Sequence, residues 1–443
     1  MPRLFGTDGV RGVANRDLTP DLALALGRAA GAVMAPDGGE IVVGRDTRVS
    51  GPMLEGALVA GLCSAGLSVR LAGIIPSPGV SFLTCDEGAR AGAMISASHN
   101  PIADNGIKFF SDEGTKIAGE VEDRIESLME EPERAALPEG LEVGGVESID
   151  DAGGRYVRHL LSTVDGSLDG LRVVLDCAYG AAWEVGPATF RAAGADVIAL
   201  HDEPDGSRIN VDCGSTAMDA LAAKVVEAEA DLGLGLDGDA DRMLAVDERG
   251  EIVDGDRILA MSAVRLSEAG ELKADVVVAT VMSNLGMIKA LAERGIEVLA
   301  APVGDKFVVD EMLARGAVLG GEQSGHIIFG EHTSTGDGLL TGLQIARALC
   351  VSDVTLHELA HLFEPYPQVL VNVPVASRAA LDGAEALWQE VAAAEGSLGD
   401  EGRVLLRASG TEPVVRVMVE AADARVAEST AQELAAAVRR HLG

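Results

Sequence analysis

The chain has 443 residues, of which 47% are hydrophobic and only 3% aromatic, and its formal net charge is −35. A chain of this length exceeds one hydrophobic core, so we expect about three or four domains built from Ala, Val, Leu and Ile. So negative a surface repels nucleic acid and anionic membranes, and neither is expected as a partner.

The N-terminal stretch and the cysteines indicate the compartment. The opening "MPRLFGTDGVRG" has no basic region followed by an apolar run, and no apolar stretch reaches membrane-spanning length. The cysteines are odd in number and form no C-x-x-C pair, which argues against a disulfide framework and against a zinc site. We expect a cytoplasmic protein in which they are small buried hydrophobes: Cys63, Cys85, Cys177, Cys213 and Cys350.

The first 150 residues show the alternating pattern of an α/β domain. Thr19 and Pro20 predict the cap and first position of a helix, and Ser50 is expected to cap another that runs through Ala65. The apolar runs at 40–46 and 69–74 predict strands of the parallel kind. The polar stretch 130–150 is interpreted as a linker.

The same pattern starts again after the linker. Apolar strands are predicted in "LRVVLDCAYG" (171–180) and "ADVVVAT" (274–280), and each opens a unit similar to the one that begins at "IVVGRD". From about Tyr366 the pattern changes to three strands followed by one helix from about Asp423. The sequence therefore predicts repeated α/β units and a small α+β domain at the end.

The stretch "GLGLDGDADR" (233–242) fits three patterns, which its context separates. A nucleotide-binding G-x-G-x-x-G loop opens a helix, but "RMLAVDERGEIV" follows and indicates strand, turn and strand. A calcium loop needs glycine at its sixth position, where this stretch has Arg242. A solvated acidic turn is one remaining interpretation. The other is a Mg²⁺ loop, because three close carboxylates repel one another without a cation: Asp237, Asp239 and Asp241.

Ser98 follows an apolar strand in "ISASHNPIADNGIKFF" (95–110). His99 is no hydrolase partner for it, because adjacent side chains rarely face each other and G-x-S-x-G is absent. Asn100 and Pro101 favour a turn that exposes the serine hydroxyl, which is then able to carry a phosphate. A simple capping or turn serine is the alternative.

Two further loops gather polar side chains beside glycines. "LGGEQSGHIIF" (319–329) places Glu322, Ser324 and His326 together, where they suit sugar hydroxyls and proton transfer or form an ordinary polar turn. "LLRASGTEPVVRV" (405–417) is either a β-turn or a phosphate loop. The residues that suit a phosphate there are Arg407, Ser409, Gly410, Thr411 and Arg416.

Cations are scarce, with 35 Lys and Arg against 70 Asp and Glu. The glycine-rich loops "RLFGTDGVRG" (3–12) and "GRDTRVSG" (44–51) hold Arg11, Arg45 and Arg48, so positive charge for a phosphate is expected to gather there. A P-loop G-x-x-x-x-G-K-[ST] is absent, which argues against ATP as a phosphoryl donor.

In chain order, "SASHNP", "DGDADR", "GEQSGH" and "RASGTEP" resemble the motifs of the α-D-phosphohexomutase family, and the match runs essentially from end to end. The family implies a central cleft between three related α/β domains with mixed sheets and a small C-terminal α+β domain. On this basis we divide the chain into residues 1–150, 151–252, 253–365 and 366–443, with one motif in each domain.

The resemblance also implies how phosphate is carried. Ser98 is the expected phosphoserine, and one of its phosphate oxygens joins Asp237, Asp239 and Asp241 around one Mg²⁺ per chain. Arg11 is the candidate for stabilising the phosphoryl group in transfer.

The remaining motif residues are implied to hold and protonate the sugar phosphate. Glu322 and Ser324 would hold the sugar, and Lys108 and His326 are the candidates for proton transfer. The phosphate that does not react would be held by Arg407, Ser409, Gly410, Thr411 and Arg416.

Within the family, "GTDGVRG" and Gln323 are similar to the branch that acts on glucosamine phosphates. That branch implies interconversion of glucosamine 6-phosphate and glucosamine 1-phosphate, with glucosamine 1,6-bisphosphate as intermediate and activator, in the supply of UDP-N-acetylglucosamine and peptidoglycan precursors. Glucose or mannose phosphates are the alternative substrates. A Mg²⁺-dependent sugar-phosphate binding module without turnover is the alternative from another class. A homodimer stays open, as does the choice between a kinase and autophosphorylation for Ser98.

Overall fold

The computed structural model describes residues 3–6, 8–131, 137–408 and 413–443. In this part of the chain, four β-sheets follow one another, and the first three mix parallel and antiparallel strands. The last sheet is small and antiparallel. The predicted fold class is therefore confirmed. None of the described helices is long and apolar enough to cross a membrane.

The first unit contains a six-stranded sheet and four helices. Its strands are β1 (Val10–Val13), β2 (Gly39–Arg45), β3 (Leu67–Ile74), β4 (Ala91–Ile95), β5 (Asp104–Ser111) and β6 (Val146–Ser148). Its helices are α1 (Pro20–Met34), α2 (Gly51–Ser64), α3 (Ser77–Asp86) and α4 (Gly119–Glu130). The strand order is β1-β5-β4-β2-β3-β6, and only β5 runs antiparallel to both of its neighbours.

The second unit has five strands in the order β11-β10-β9-β7-β8. They are β7 (Arg172–Asp176), β8 (Asp196–Leu200), β9 (Leu232–Leu236), β10 (Met243–Asp247) and β11 (Ile252–Val253). Its helices are α5 (Ala152–Ser162), α6 (Val185–Ala192) and α7 (Asp219–Glu227).

The third unit has four strands in the order β13-β12-β14-β15. They are β12 (Val276–Thr280), β13 (Glu297–Ala301), β14 (Leu319–Gly321) and β15 (Ile327–Phe329). Its helices are α8 (Gly255–Glu268), α9 (Leu285–Ala292), α10 (Asp305–Arg315), α11 (Gly338–Val351) and α12 (Leu356–Ala360).

The last unit pairs three strands in the order β16-β18-β17. They are β16 (Gln368–Pro374), β17 (Gly402–Ala408) and β18 (Val414–Ala421), and the helices are α13 (Glu385–Leu398) and α14 (Ala424–Leu442). The pattern of strands and a final helix is confirmed, but α13 between β16 and β17 was not expected.

The first three units repeat one topology. The orders β5-β4-β2-β3, β10-β9-β7-β8 and β15-β14-β12-β13 are equivalent. In each, the strand that comes last in the chain (β5, β10 or β15) lies at the left of the written order and runs antiparallel to the strand before it in the chain. The turns that precede those reversed strands contain "SASHNP", "DGDADR" and "GEQSGH". Repetition of the fold therefore places three sequence motifs at equivalent turns.

Apolar side chains form five buried clusters in the described part of the chain, one of them confined to the first unit, and two of the five show how the units pack. One cluster of buried side chains extends from Val42 to Ala360 and crosses the first three units, whereas the last unit has its own cluster from Val373 to Leu442. The first three units therefore pack as a block, and the last packs mainly on itself.

Several local expectations are confirmed and others are corrected. Thr19 caps α1 by accepting the N–H of Leu22. Ser50 precedes α2 without a side-chain cap hydrogen bond, because its backbone is already helical there. The linker contributes β6, which pairs with β3. Cys177 and Cys213 are buried as expected. The expectation is wrong for Cys85, which is exposed at the end of α3, and Cys63 and Cys350 are only partly buried.

Candidate active site

The turn after β4 holds Ser98 in a strained and fully supported conformation. Its φ is 51°, in the left-handed region that β-carbon sterics disfavour, and it is 1% exposed. Ser96 Oγ accepts the Ser98 N–H at 2.9 Å, and the Ser98 carbonyl accepts from Asn210 Nδ2 at 2.9 Å. The hydroxyl is thereby aimed at the second unit, where Ser98 Oγ donates to Asp237 Oδ2 at 2.5 Å.

Arg48 supports the same turn through hydrogen bonds to its backbone. Its guanidinium is fully buried and donates to the carbonyl oxygens of Ser98, Asn100, Pro101 and Asp104 at 2.7–2.9 Å. Asp46 Oδ2 pairs with it at 3.0 Å. The expectation that Arg48 serves a phosphate is therefore wrong, because every direction of its planar donor set is already occupied. Arg45 likewise pairs with Glu55.

The turn after β9 brings three carboxylates together. One oxygen each of Asp237, Asp239 and Asp241 lies within 4.8 Å of the others, and all three side chains are buried. Burial, followed by repulsion from Asp241 and Asp239, raises the pKa of Asp237 to about 8. Asp239 Oδ1 and Asp241 Oδ1 are buried without a hydrogen-bond partner. A buried, mutually repelling oxygen set with free lone pairs fits a hard divalent cation such as Mg²⁺.

Lys108, from β5, supplies positive charge to these carboxylates. Its ammonium lies 2.7 Å from Asp239 Oδ2 and 3.1 Å from Asp241 Oδ2. Burial lowers the pKa of Lys108, but the two carboxylates outweigh that effect and hold it well above its ordinary value. Ser77 Oγ also donates to Asp239 Oδ2 at 2.5 Å. The aspartate turn thus contacts the first unit through three side chains.

The turn after β14 approaches the same carboxylates. Glu322 Oε1 accepts the N–H of Gly304 at 3.0 Å, and Ser324 Oγ lies 3.5 Å from Glu322 Oε2. His326 is only 2% exposed; its Nε2 accepts the Gly336 N–H at 2.9 Å and its Nδ1 lies 3.8 Å from Asp241 Oδ1. His326 is therefore close to Asp241 but beyond hydrogen-bond distance of it, and its part in proton transfer stays a prediction.

A charge network that the motif analysis missed joins the first and third units. Lys116 contacts both Asp8 and Asp305, and Arg11 contacts Asp8 and reaches Asn100 Oδ1 at 3.5 Å. Burial raises the pKa of Asp8, but Lys108, Lys116 and Arg11 outweigh it and hold the pKa well below its usual range. Asp8 lies within the motif "GTDGVRG", so the sequence offered a reason to consider it as a site residue. Lys116 and Asp305 lie in none of the motifs described above, and the sequence offered no such reason for them.

The last predicted loop joins β17 to β18. Arg407 and Arg416 face each other across this hairpin, and burial together with repulsion from Arg416 lowers the pKa of Arg407. Paired cations at the base of a turn suit an anion. Ser409, Gly410 and Thr411 lie outside the described residues. This hairpin belongs to a sheet separate from the three that carry the other motifs.

Models of known protein families match the chain domain by domain. Models described as phosphoglucomutase/phosphomannomutase alpha/beta/alpha domains I, II and III match residues 2–136, 154–250 and 254–366. The model of the C-terminal domain of the same family matches residues 370–437.

Individual proteins match over nearly their full lengths. A phosphoglucosamine mutase of Moorella thermoacetica is 53% identical over 426 residues, 96% of each chain. One of Frankia casuarinae is 54% identical over 449 residues, 99% of this chain and 98% of that protein.

Solved structures share the fold. A phosphoglucomutase/phosphomannomutase family protein of Burkholderia thailandensis superimposes with a TM-score of 0.84 at 26% identity, over 99% of this chain and 97% of that one. The N-acetylphosphoglucosamine mutase of Aspergillus fumigatus, solved with GlcNAc-6P and magnesium, gives 0.72 at 18% identity, over 99% and 96%. Because four successive domain models cover most of the residues and relatives above 50% identity extend nearly from end to end, the chain belongs to the phosphoglucomutase/phosphomannomutase family, as its motifs predicted.

Proposed function

We propose that this chain interconverts glucosamine 6-phosphate and glucosamine 1-phosphate through a phosphoserine and glucosamine 1,6-bisphosphate. The observation that carries the chemistry is the contact of Ser98 Oγ with a buried carboxylate cluster on a neighbouring unit. The substrate is supported by full-length similarity to phosphoglucosamine mutases at 51–54% identity.

Ser98 is the proposed phosphoryl carrier. Its strained backbone and its three supporting hydrogen bonds fix the direction of the hydroxyl, so the group bound there meets the aspartate turn in one orientation. A phosphate oxygen on Ser98 with Asp237, Asp239 and Asp241 would hold one Mg²⁺ per chain. That ion supplies Lewis-acid neutralisation of charge on the phosphoryl group.

Arg11 and Lys108 are the proposed cationic partners of the reacting groups. Asp8 and Asn100 hold the Arg11 guanidinium beside the serine turn, which suits stabilisation of phosphoryl charge. Lys108 is proposed to exchange a proton with the sugar hydroxyl. For that role its ammonium turns from Asp239 and Asp241 toward the sugar.

The sugar and its second phosphate are proposed to contact the third and last units. Glu322, oriented by the Gly304 N–H, and Ser324 would accept and donate hydrogen bonds to sugar hydroxyls. The phosphate that does not react would be held by Arg407, Ser409, Gly410, Thr411 and Arg416. Because the bisphosphate presents either end to Ser98, the last unit must grip two orientations of the sugar, which a separately packed unit favours.

The test is a side-by-side comparison of kcat/KM for glucosamine 6-phosphate, glucose 6-phosphate and mannose 6-phosphate, with Mg²⁺ and a trace of bisphosphate. We expect a preference of about a hundredfold for the amino sugar, on the order of 3 kcal/mol. If kcat/KM is equal for the neutral sugars, the proposed phosphoryl-transfer chemistry stands, but the proposed substrate is wrong and hexose phosphates take its place.

The setting of the reaction is also proposed. We place the enzyme in the cytoplasm as a supplier of UDP-N-acetylglucosamine precursors, and we keep the domain division at 1–150, 151–252, 253–365 and 366–443. A homodimer and activation of Ser98 by a kinase or by autophosphorylation complete the proposal. Intact-mass spectrometry of the purified chain, with and without added bisphosphate, tests whether one phosphate resides on Ser98.

A further inference from the structure

A second cluster of metal-ligating side chains lies away from the active site. Asp247 ends β10, whose other end follows the aspartate turn, so the two sites are separated by roughly 14 Å of strand at about 3.4 Å per residue. Glu251 follows the tight turn after Asp247. The third unit places two histidines against this turn: His357 in α12 and His361, the residue directly after that helix.

The ligand atoms of this cluster are spaced like those around a single ion. Asp247 Oδ2 lies 2.8 Å from His357 Nδ1, while Glu251 Oε2 lies 3.5 Å from His357 Nδ1 and 3.6 Å from His361 Nε2. A tetrahedral Zn²⁺ site with bonds of about 2.0–2.1 Å separates neighbouring ligand atoms by roughly 3.3 Å. The atoms of Asp247, His357 and His361 all lie within 4.8 Å of one another.

The groups behind the cluster orient its lone pairs inward. His361 Nδ1–H donates to the His357 carbonyl at 2.7 Å, so the lone pair of the neutral imidazole lies on Nε2, on the side of Glu251. Asp247 Oδ1 accepts the N–H groups of Arg249 and Glu251 at 3.0 and 2.8 Å, which directs Oδ2 at His357. Metal-binding histidines and carboxylates are held by this kind of outer hydrogen bond.

A simple ion pair accounts for only part of this arrangement. It explains the contact of His357 with Asp247, but not the second imidazole, whose ring centroid is 3.7 Å from that of His357. The two imidazoles are tilted by 33° to each other and both face the Glu251 carboxylate, an arrangement that a shared ion would bring together. The Glu251 side chain is 57% exposed, so the cluster is open to solvent and an ion has a way in.

We propose that Asp247, Glu251, His357 and His361 bind a borderline divalent transition metal, with Zn²⁺ as the expected ion. Mg²⁺ is disfavoured because it prefers oxygen ligands, whereas two imidazoles with two carboxylates suit Zn²⁺. Binding displaces any proton on the imidazoles, and the bound ion ties the β10–β11 turn to α12. Cysteine spacing had argued against zinc, but this site uses no cysteine.

Cobalt titration of the full-length protein tests the proposal. Metal is first removed from the protein with EDTA. Mg²⁺ is then added in excess so that it occupies the aspartate turn, whose ligands are all oxygens. Co²⁺ is titrated into this sample while the visible absorption spectrum is recorded. We expect one equivalent to give the intense absorption of tetrahedral Co²⁺ and Zn²⁺ to displace it. Absence of that absorption in the wild-type protein overturns the proposal without any variant.

Two variants assign the ligands. His361→Gln is expected to abolish the tetrahedral absorption and to leave the Mg²⁺-dependent kcat unchanged, because His361 is remote from Ser98. Glu251→Gln, at an exposed position, is expected to weaken Co²⁺ binding by about tenfold or more. The matched control is His441→Gln, a histidine that pairs with Glu390 in the last unit. Absorption that persists in His361→Gln, or disappears in His441→Gln, contradicts the assignment.

Thermal unfolding provides a second readout. Zn²⁺ in excess is expected to raise the Tm of the wild-type protein and of His441→Gln, because a ligand that binds only the folded state stabilises it. The Tm of His361→Gln is expected to stay constant. An equal Zn²⁺ response in all three proteins would place the ion elsewhere and reject the site.

Discussion

Two junctions between units differ in the polar groups that join them. Where the first unit meets the second, the contacts are buried side chains: Ser98 with Asp237, Ser77 with Asp239 and Lys108 with both Asp239 and Asp241. Where the third meets the last, backbone groups of the third unit are involved: the Ser283 carbonyl accepts from Arg403, which is 23% exposed, and the Leu285 N–H donates to Glu420.

This difference indicates which part of the enzyme is rigid. The first three units share an apolar core, and their buried charges keep a fixed geometry because any displacement leaves a charge without its partner. The last unit has a core of its own and is attached through a few polar groups. This contrast agrees with the proposal that phosphoryl transfer takes place in the rigid block and that the attached unit grips the second phosphate.

The largest effect is expected at the centre of the rigid junction. Ser98→Ala should lower kcat by several orders of magnitude with little change in Tm, because the carrier hydroxyl is lost while the turn keeps its backbone hydrogen bonds. The matched control is Ser77→Ala, which removes the other serine that donates to these aspartates. Its activity should stay within about tenfold of the wild type. Near-normal turnover by Ser98→Ala would reject the carrier assignment.

The next effect is on stability in the same region. Arg48→Met should destabilise the protein by about 3–5 kcal/mol, because Asp46 and four turn carbonyls lose their buried donor. The control Arg16→Met, at a side chain that is 71% exposed, should leave the free energy of unfolding essentially unchanged. Urea unfolding measures both. Equal midpoints for the two variants would contradict the role given to Arg48.

A third prediction concerns the pH dependence of stability, at a hydrogen bond between two helices of the rigid block. Asp337 caps α11 and accepts from Tyr156 of α5 at 2.7 Å, and burial raises its pKa from 3.8 to about 6. The protonated form is therefore favoured on folding, so its stabilisation is present below about pH 4 and is lost as pH rises through 6. Over about 2 pH units at 1.36 kcal/mol each, the loss is on the order of 3 kcal/mol.

Asp337→Asn tests this linkage because an amide can still cap α11 and pair with Tyr156 without titrating. Unfolding of both proteins is measured from pH 4 to pH 7. The stability of the wild type should fall relative to the variant across this range, and profiles that stay parallel would show that the carboxyl does not titrate in it.

The smallest effect is expected at the attachment of the last unit. Glu420→Gln should cost about 1–3 kcal/mol, because the ion pair with Arg403 is lost while an acceptor for the Leu285 N–H remains. Hydrogen exchange should quicken in β18 and α14 and stay unchanged around Ser98. The control is Glu390→Gln, in an exposed pair with Arg440, which should have a smaller effect on stability than Glu420→Gln. Faster exchange throughout the chain would mean that the two junctions are not independent.

Most of the elements, and the turns that carry the site, were predictable from the sequence. Strands such as 171–180 were visible because buried parallel strands are continuous apolar runs, and Thr19 with Pro20 marked a helix start by local chemistry alone. β6 was interpreted as linker because its partner β3 lies far away in sequence. The helix α13 was missed because its residues interrupt a pattern of strands.

The amino-acid sequence by itself determined the period of each element, the turns, and the family through four short motifs. These depend on neighbours within a few residues, where backbone sterics and side-chain periodicity act. Only the tertiary structure decided that Lys108 neutralises Asp239 and Asp241, that Arg48 supports a turn and does not face a phosphate, and that Lys116 joins Asp8 to Asp305. Those outcomes depend on burial and on charges brought together from distant positions, and sequence separation carries no information about either.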